Sequence, residues 1–293
     1  MATHKKYFVA CLALGVGLLA LSFPMKAGEG PYFITYNHHM EEPGNLELGI
    51  NPILGKPRNG NPYLASWTEL EYGTKGWWTT EFYVEGQSTR HESTIFTGFR
   101  FENRFRLLMR EHRINPVWYV EFENINAASK TMQEVVGFDS QFDHAEPNAL
   151  ARVEREREIE TKLILGSEIQ GWNISENLIF EKNLANAPWE FGYAVGVNRP
   201  LALAASPRPC EFCRENFRAG VEMYGGLGDA HNITMTGTSQ YLAPVFSWEL
   251  PNGTSLRISP TFGLTANSHR FLVRFGVSHE FGGFVRRLRQ MFH

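Results

Sequence analysis

Apolar and polar residues alternate along most of this 293-residue chain. The alternation comes in segments of about ten residues separated by turn signals, and it limits the fold more than any other feature. Successive side chains of an extended strand point to opposite faces, so a period of two gives each strand one greasy face and one polar face. Leu46, Leu48 and Ile50 oppose Asn45, Glu47 and Gly49. Trp78, Thr80, Phe82 and Val84 oppose Thr79, Glu81, Tyr83 and Glu85. Ile95, Thr97, Phe99 and Phe101 oppose Gly98, Arg100, Glu102 and Arg104. Trp118, Val120 and Phe122 oppose Tyr119, Glu121 and Glu123. The pattern recurs at 189–198, 217–223, 241–250 and 271–280.

Weaker runs at 65–74, 159–169, 171–182 and 253–264 bring the total to about twelve strands. The pattern predicts an all-β fold, a transmembrane antiparallel up-and-down β-barrel over residues 44–281. A soluble sandwich also alternates, so a secreted sandwich or a lipocalin-like barrel is the competing architecture. Three details favour the membrane barrel. Its strands run to about ten to twelve residues, against about five or six in a typical sandwich. Its apolar face is rich in aromatics, with 22 Phe, 10 Tyr and 7 Trp in the chain, several near strand ends where an interfacial girdle sits. Its polar face carries Glu, Arg and Gly, which suits a wet or ion-paired lumen. The even strand count suits a single-chain barrel, and closure leaves no edge. The formal net charge of −3 makes no case for nucleic acid as a partner. A mean hydropathy of −0.29 excludes a bundle of membrane helices.

Residues 1–27 read as a secretory signal peptide: Lys5 and Lys6, an apolar run from Phe8 to Phe23, then small residues up to Ala27. A single membrane anchor is the alternative, but the run is short for a span of about 20 residues. Losing Lys5, Lys6 and Lys26 from 28 basic residues leaves 25 against 31 acids, a net of −6. Residues 28–43 are expected as an N-terminal periplasmic segment. Cys210 and Cys213 remain, in "CEFC". In an oxidising compartment they are expected to form a short-loop disulfide.

"GTKG" at 73–76, "QG" at 170–171 and "PNG" at 251–253 mark tight hairpins. With both termini periplasmic, these fall on the periplasmic side and the longer connections 55–64, 126–158 and 226–238 fall outside. The 199–215 connection, which holds the cysteines, is long for a periplasmic turn and sits badly with this scheme. "EPNALARVERERE" at 146–158 alternates charge at helical spacing and reads as a solvated helix. The sharper reading is a segment that folds over or into the mouth and narrows it.

In the final strand Arg274, Gly276, His279 and Phe281 stand in the register of polar residue, glycine, hydrophobic residue and terminal aromatic. On these residues, and on the segments "VWYVEFENI" and "ETKLILG", the chain resembles the outer-membrane β-barrel superfamily of porin-like proteins in Gram-negative bacteria. The resemblance spans 44–281 as an architecture. It departs at His279, where an aromatic is usual, and in the 282–293 tail that follows the final aromatic. It implies an assembly signal in the last strand and a place in the outer membrane. It also implies contact with outer-membrane lipid and lipopolysaccharide, and handling by the barrel-assembly machinery during insertion. The tail sets Phe284, Val285, Leu288, Met291 and Phe292 at helical spacing against Arg286, Arg287 and Arg289. Such a basic amphipathic helix would lie on anionic lipid or cover the periplasmic mouth; a frayed terminus is the alternative.

With the apolar face toward lipid, the lumen presents Glu47, Glu69, Glu71, Glu81, Glu85, Glu121, Glu123, Glu190 and Glu222. It also presents Arg100, Arg104, Arg106, Arg218, Arg257 and Arg274. Simple hairpin pairing brings Glu81 and Glu85 beside Arg100 and Arg104. The expectation is a porin-like channel for passive passage of small hydrophilic solutes, mildly cation-preferring because acids outnumber bases. The competing class is a plugged structural or binding barrel, since side chains fill much of a lumen of about twelve strands. A third class is an outer-membrane lipid-modifying hydrolase, which needs a nucleophile and a base near one rim. The chain has no G-x-S-x-G; Ser140 with His144, beside Asp139 and Asp143, is the loose pair on offer. His38, His39 and Glu41 match no zinc spacing, and a solvated terminal segment is the plainer reading. No cofactor and no metal are expected.

Overall fold

The computed structural model describes residues 30–291 apart from Asn186 and Pro209; the signal peptide reading of 1–27 lies outside the described residues. Twelve long strands follow one another. They are β1 (Leu46–Gly55), β2 (Tyr63–Lys75), β3 (Trp78–Thr89), β4 (Thr94–Arg106), β5 (Asn115–Asn126) and β6 (Arg155–Ile169). Then come β7 (Trp172–Asn183), β8 (Trp189–Pro200), β9 (Phe217–Asp229), β10 (Gln240–Glu249), β11 (Thr254–Gly263) and β12 (Phe271–Phe281). A two-residue ladder, Asn232–Ile233, folds back on the end of β9. Each strand pairs antiparallel with the next. β1 also pairs with β12, from Leu46↔Phe281 to Gly55↔Leu272. The sheet is therefore a closed barrel without an edge.

The alternation sets the two faces as the sequence predicts. Ile50, Phe82, Phe101, Trp118 and Val277 point outward and are exposed on the isolated chain, while their neighbours point in and are buried. Trp78, Phe105 and Trp118 stack with ring centroids 6.1 and 5.6 Å apart near one rim. Phe212, Trp248 and Phe217 form a second group there, at 4.8 and 5.6 Å. Aromatic clusters at this height on the outer face match the position of an interfacial girdle. Among the described residues, no helix is long and apolar enough to cross a membrane.

The three tight hairpins fall at one end as expected, together with the longer 107–114 connection. The turns at 76–77, 170–171 and 250–253 share one end with the 201–216 connection. That connection is not a misfit: Cys210 and Cys213 are joined in a disulfide, Cα–Cα 5.2 Å. The indole N–H of Trp248 donates to the Glu211 carbonyl at 2.8 Å, which fastens the loop to the aromatic belt.

Three expectations need correction. Thr97 does not sit on the outer face. A β-bulge lets Glu85 pair with Gly98 but Gly86 with Phe96, so Thr97 is buried and Phe96 is exposed. An extra residue reverses the phase of everything before it. The 146–158 stretch is not a helix: only α1 (Asn148–Ala151) is helical, and Arg155 already opens β6. Its alternating charges are a period-two strand pattern, whose acids face in. Residues 30–43 are not an external segment. They run inside the barrel, with Ile34, His38 and Glu41 buried. The tail forms α2 (Phe284–Met291).

Candidate functional site

A closed barrel needs tilted, staggered strands, so a row of directly opposed residues climbs the wall as a helix instead of closing into a ring. One such row is acidic throughout. Glu280 faces Glu47, which faces Glu71, and Glu71 faces Glu81. The row continues through Glu102, Glu121 and Glu160. It ends with Glu181, Glu190 and Asp229. It starts one residue from the short-turn ends of β12 and β1 and finishes at Asp229, the last residue of β9 at the opposite rim. The carboxylates from Glu280 to Glu181 are buried, and Glu190 is half-buried.

Cations attend this row unevenly. Arg104 bridges Glu71 at 2.5 Å and Glu102 at 3.1 Å, and also binds Glu81. Arg100 binds Glu85 at 2.5 Å, Glu121 at 3.3 Å, Glu123 at 2.7 Å and Glu134 at 2.6 Å. Lys162 binds Glu160 at 2.8 Å. Glu81 thus faces another acid, Glu102, and meets its arginine diagonally. Past Lys162, Glu181 and Glu190 have no ion pair among the described residues, and the terminal Asp229 lies 4.0 Å from the His231 ring. Its upper end opens on a cavity of about 280 Å³ at the long-loop end, lined by Glu134, Asp139, Asp143, Glu156, Glu158, Glu181 and Glu190, with Arg100 at its base. That volume holds several waters. On the loops around it, burial beside Glu190 holds Asp139 well above the ordinary aspartate range. Burial and nearby Arg274 lower His269 to about 3. Burial against His269 keeps His144 well below the ordinary histidine range.

Two segments narrow the lumen. The backbone N–H groups of Phe33, Ile34 and Thr35 donate to the Glu222 carboxylate at 3.2, 3.1 and 3.0 Å. Tyr36 exchanges hydrogen bonds with the Asn177 side chain at 2.7 and 2.9 Å. Inward glycines make the room: a Cβ on Gly196 would lie 2.5 Å from the Tyr32 ring, and one on Gly166 would lie 2.7 Å from His38 Cβ. The second segment is 127–137, between β5 and β6. Ser129, Thr131 and Gln133 all donate to Glu85, at 2.9, 3.0 and 2.8 Å. Arg274 donates to the Met132 carbonyl at 2.9 Å. The sequence's sharper reading set an inward-folding segment at 146–158; the residues that fold inward are 127–137, earlier in the same connection.

The fifteen sequence-predicted lumen residues all lie on inward faces or at the rims, but with different fates. Glu47, Glu71, Glu81, Glu121 and Glu190 belong to the acidic row. Glu85, Glu123, Arg100 and Arg104 form its buried ion-pair network. Glu222 and Arg257 hold the N-terminal segment, the latter donating to the Tyr32 carbonyl at 3.1 Å, and Arg257 lies 3.7 Å from Glu69. Arg106 donates to the His38 carbonyl at 3.3 Å, and Arg274 anchors the inserted loop. Arg218 sits at the rim on Asn198 at 3.1 Å. In β12, His279 bonds Thr254 at 2.9 Å and its ring meets Phe281 at 4.7 Å, while inward Gly276 lies close to Phe33.

Ser140 and His144 do not pair: the Ser140 hydroxyl accepts from the Phe142 N–H, and His144 packs on the His269 ring at 5.1 Å. His38 and His39 bind different carboxylates, Glu111 at 2.9 Å and Glu168 at 3.3 Å. The sequence reading missed Glu134, Glu158, Glu160, Lys162 and Glu181 as lumen residues. The signal was present: Glu158, Glu160 and Lys162 are spaced by two against Ile159, Thr161 and Leu163.

Neither a protein-family model nor a curated protein matches the chain. Solved structures do match its shape. An outer membrane channel of Pseudomonas putida F1 superposes with a TM-score of 0.53 at 8% identity, covering 86% of this chain and all of that one. LpxR from Salmonella typhimurium aligns with a TM-score of 0.42 at 10% identity, over 80% of this chain and 99% of that one. The translocator domain of the autotransporter NalP from Neisseria meningitidis aligns with a TM-score of 0.40 at 11% identity, over 81% and 88%. At these identities the likeness is one of fold. It defines the fold as a closed antiparallel β-barrel of twelve strands with an apolar, aromatic-rich outer face, of the kind seen in that outer membrane channel.

Proposed function

We propose that the barrel is a porin-like channel for passive passage of small hydrophilic solutes, with a preference for cations. The acidic row that climbs from rim to rim carries this reading. Carboxylates opposed across a strand pair repel, at about 0.2–1 kcal/mol a pair. A lumen built only for stability would alternate acids with bases. This one sets acid against acid on ten consecutive strands, from Glu280 on β12 through to Asp229 on β9. A lumen lined by carboxylates concentrates cations and repels anions.

A second reading, a plugged structural or binding barrel, draws on residues 30–43 and 127–137 inside the lumen. Planar-bilayer recording of the purified protein separates the two. The channel reading expects discrete conductance steps in the wild type, and larger ones in Gly196→Val, whose new side chain displaces Tyr32. No steps from either protein would leave the plugged barrel standing.

A further inference from the structure

We infer that Glu123, Glu158 and Glu181 form a binding site for a hard divalent cation, Ca²⁺ above all, on the wall of the outer vestibule. The inference deepens the channel reading and rests on its claim that ions reach this lumen.

The three residues come from adjacent strands β5, β6 and β7, and one carboxylate oxygen from each lies within 4.8 Å of the others. Paired strands fix that spacing more firmly than a loop would. The independent observation is the state of Glu181. It is 5% exposed, it lines the 280 Å³ cavity, and no hydrogen bond or ion pair among the described residues reaches its carboxylate. An isolated carboxylate out of bulk water is costly unless a counter-charge or a metal joins it. The adjoining group of Glu121, Glu123, Glu134 and Glu160 is a poorer candidate, because Arg100 or Lys162 binds every one of its members, whereas of the proposed three only Glu123 is held by Arg100.

Donor chemistry selects the ion. Every donor is a carboxylate oxygen, with no thiol or imidazole in the group, which suits Ca²⁺ or Mg²⁺ and not zinc or copper. Mg²⁺ demands near-ideal octahedral geometry. Ca²⁺ accepts six to eight oxygens in looser arrangements, and waters in the cavity supply those the protein does not. Glu158 is oriented by Asn183, whose amide donates to it at 2.8 Å. A bound ion would tie β5, β6 and β7 together beside Glu134 of the inserted loop and neutralise the upper end of the acidic row.

Calorimetric titration of the chelator-stripped, detergent-purified barrel with CaCl₂, paired with its thermal unfolding, tests the site. The wild type is expected to take up one Ca²⁺ and to unfold at higher temperature when loaded. Glu181→Gln and Glu158→Gln, neutral and nearly isosteric, are each expected to weaken binding by about tenfold or more. Glu211→Gln, an exposed acid of the disulfide loop, is expected to bind as the wild type does. No heat and no thermal shift up to about 10 mM Ca²⁺, or wild-type binding by both vestibule variants, would overturn the inference. A barrel that conducts but ignores Ca²⁺ removes the site and keeps the channel. One that binds Ca²⁺ without conducting keeps the site and removes the channel.

Discussion

Arg100 shows what a single residue does in this lumen. It lies 2% exposed and is shared by Glu85, Glu121, Glu123 and Glu134. Breaking a buried ion pair from one side costs more than the pair contributes, because the orphaned charges stay buried. Arg100→Met is therefore expected to destabilise the barrel by about 3–5 kcal/mol, read as a lower unfolding temperature on heat-modifiability gels. Adding Glu123→Gln should recover part of the loss; no recovery would mean the arginine acts through packing alone. His269 gives a pH test. Its folded pKa is near 3, below the unfolded value of about 6.5. Between those values the unfolded chain binds a proton that the folded barrel does not, so stability falls as pH drops through that window. Going from about pH 7.5 to about pH 4.5 should then destabilise the wild type more than His269→Gln. An equal loss in both would remove His269 from the account.

At the scale of elements, strand identity was legible and insertion was not. The period of two is local, so it survives in the sequence, and it placed twelve strands and the facing of Glu47, Glu81, Arg100 and Glu121. The bulge at Thr97 was invisible because one extra residue leaves no compositional trace. "PYFITYNHHM" read as part of a solvated N-terminal periplasmic segment, because its partners Glu222 and Asn177 lie 188 and 141 residues away and no local pattern links them. The acidic row depends on register between ten strands, which alternation within each strand does not set. The inserted loop hangs on Glu85, so Glu85→Ala should free residues 127–137 from their three side-chain hydrogen bonds. Faster amide exchange confined to that loop is the expected result. Unchanged protection would show that Arg274 and the loop's own apolar contacts suffice.

For the whole molecule, the closed wall, the outer aromatic belt and the climbing carboxylates form one argument. Closure forces the stagger, the stagger carries the acidic row from one rim to the other, and the two inserted segments lie inside the lumen that it crosses. Reversal potential across a salt gradient, compared between the wild type and a Glu160→Gln/Glu181→Gln/Glu190→Gln variant, tests the central claim most directly. A cation-directed potential in the wild type that moves toward zero in the triple variant is expected. An identical potential in both, or an anion-directed one in the wild type, would contradict the proposal that these carboxylates line the route.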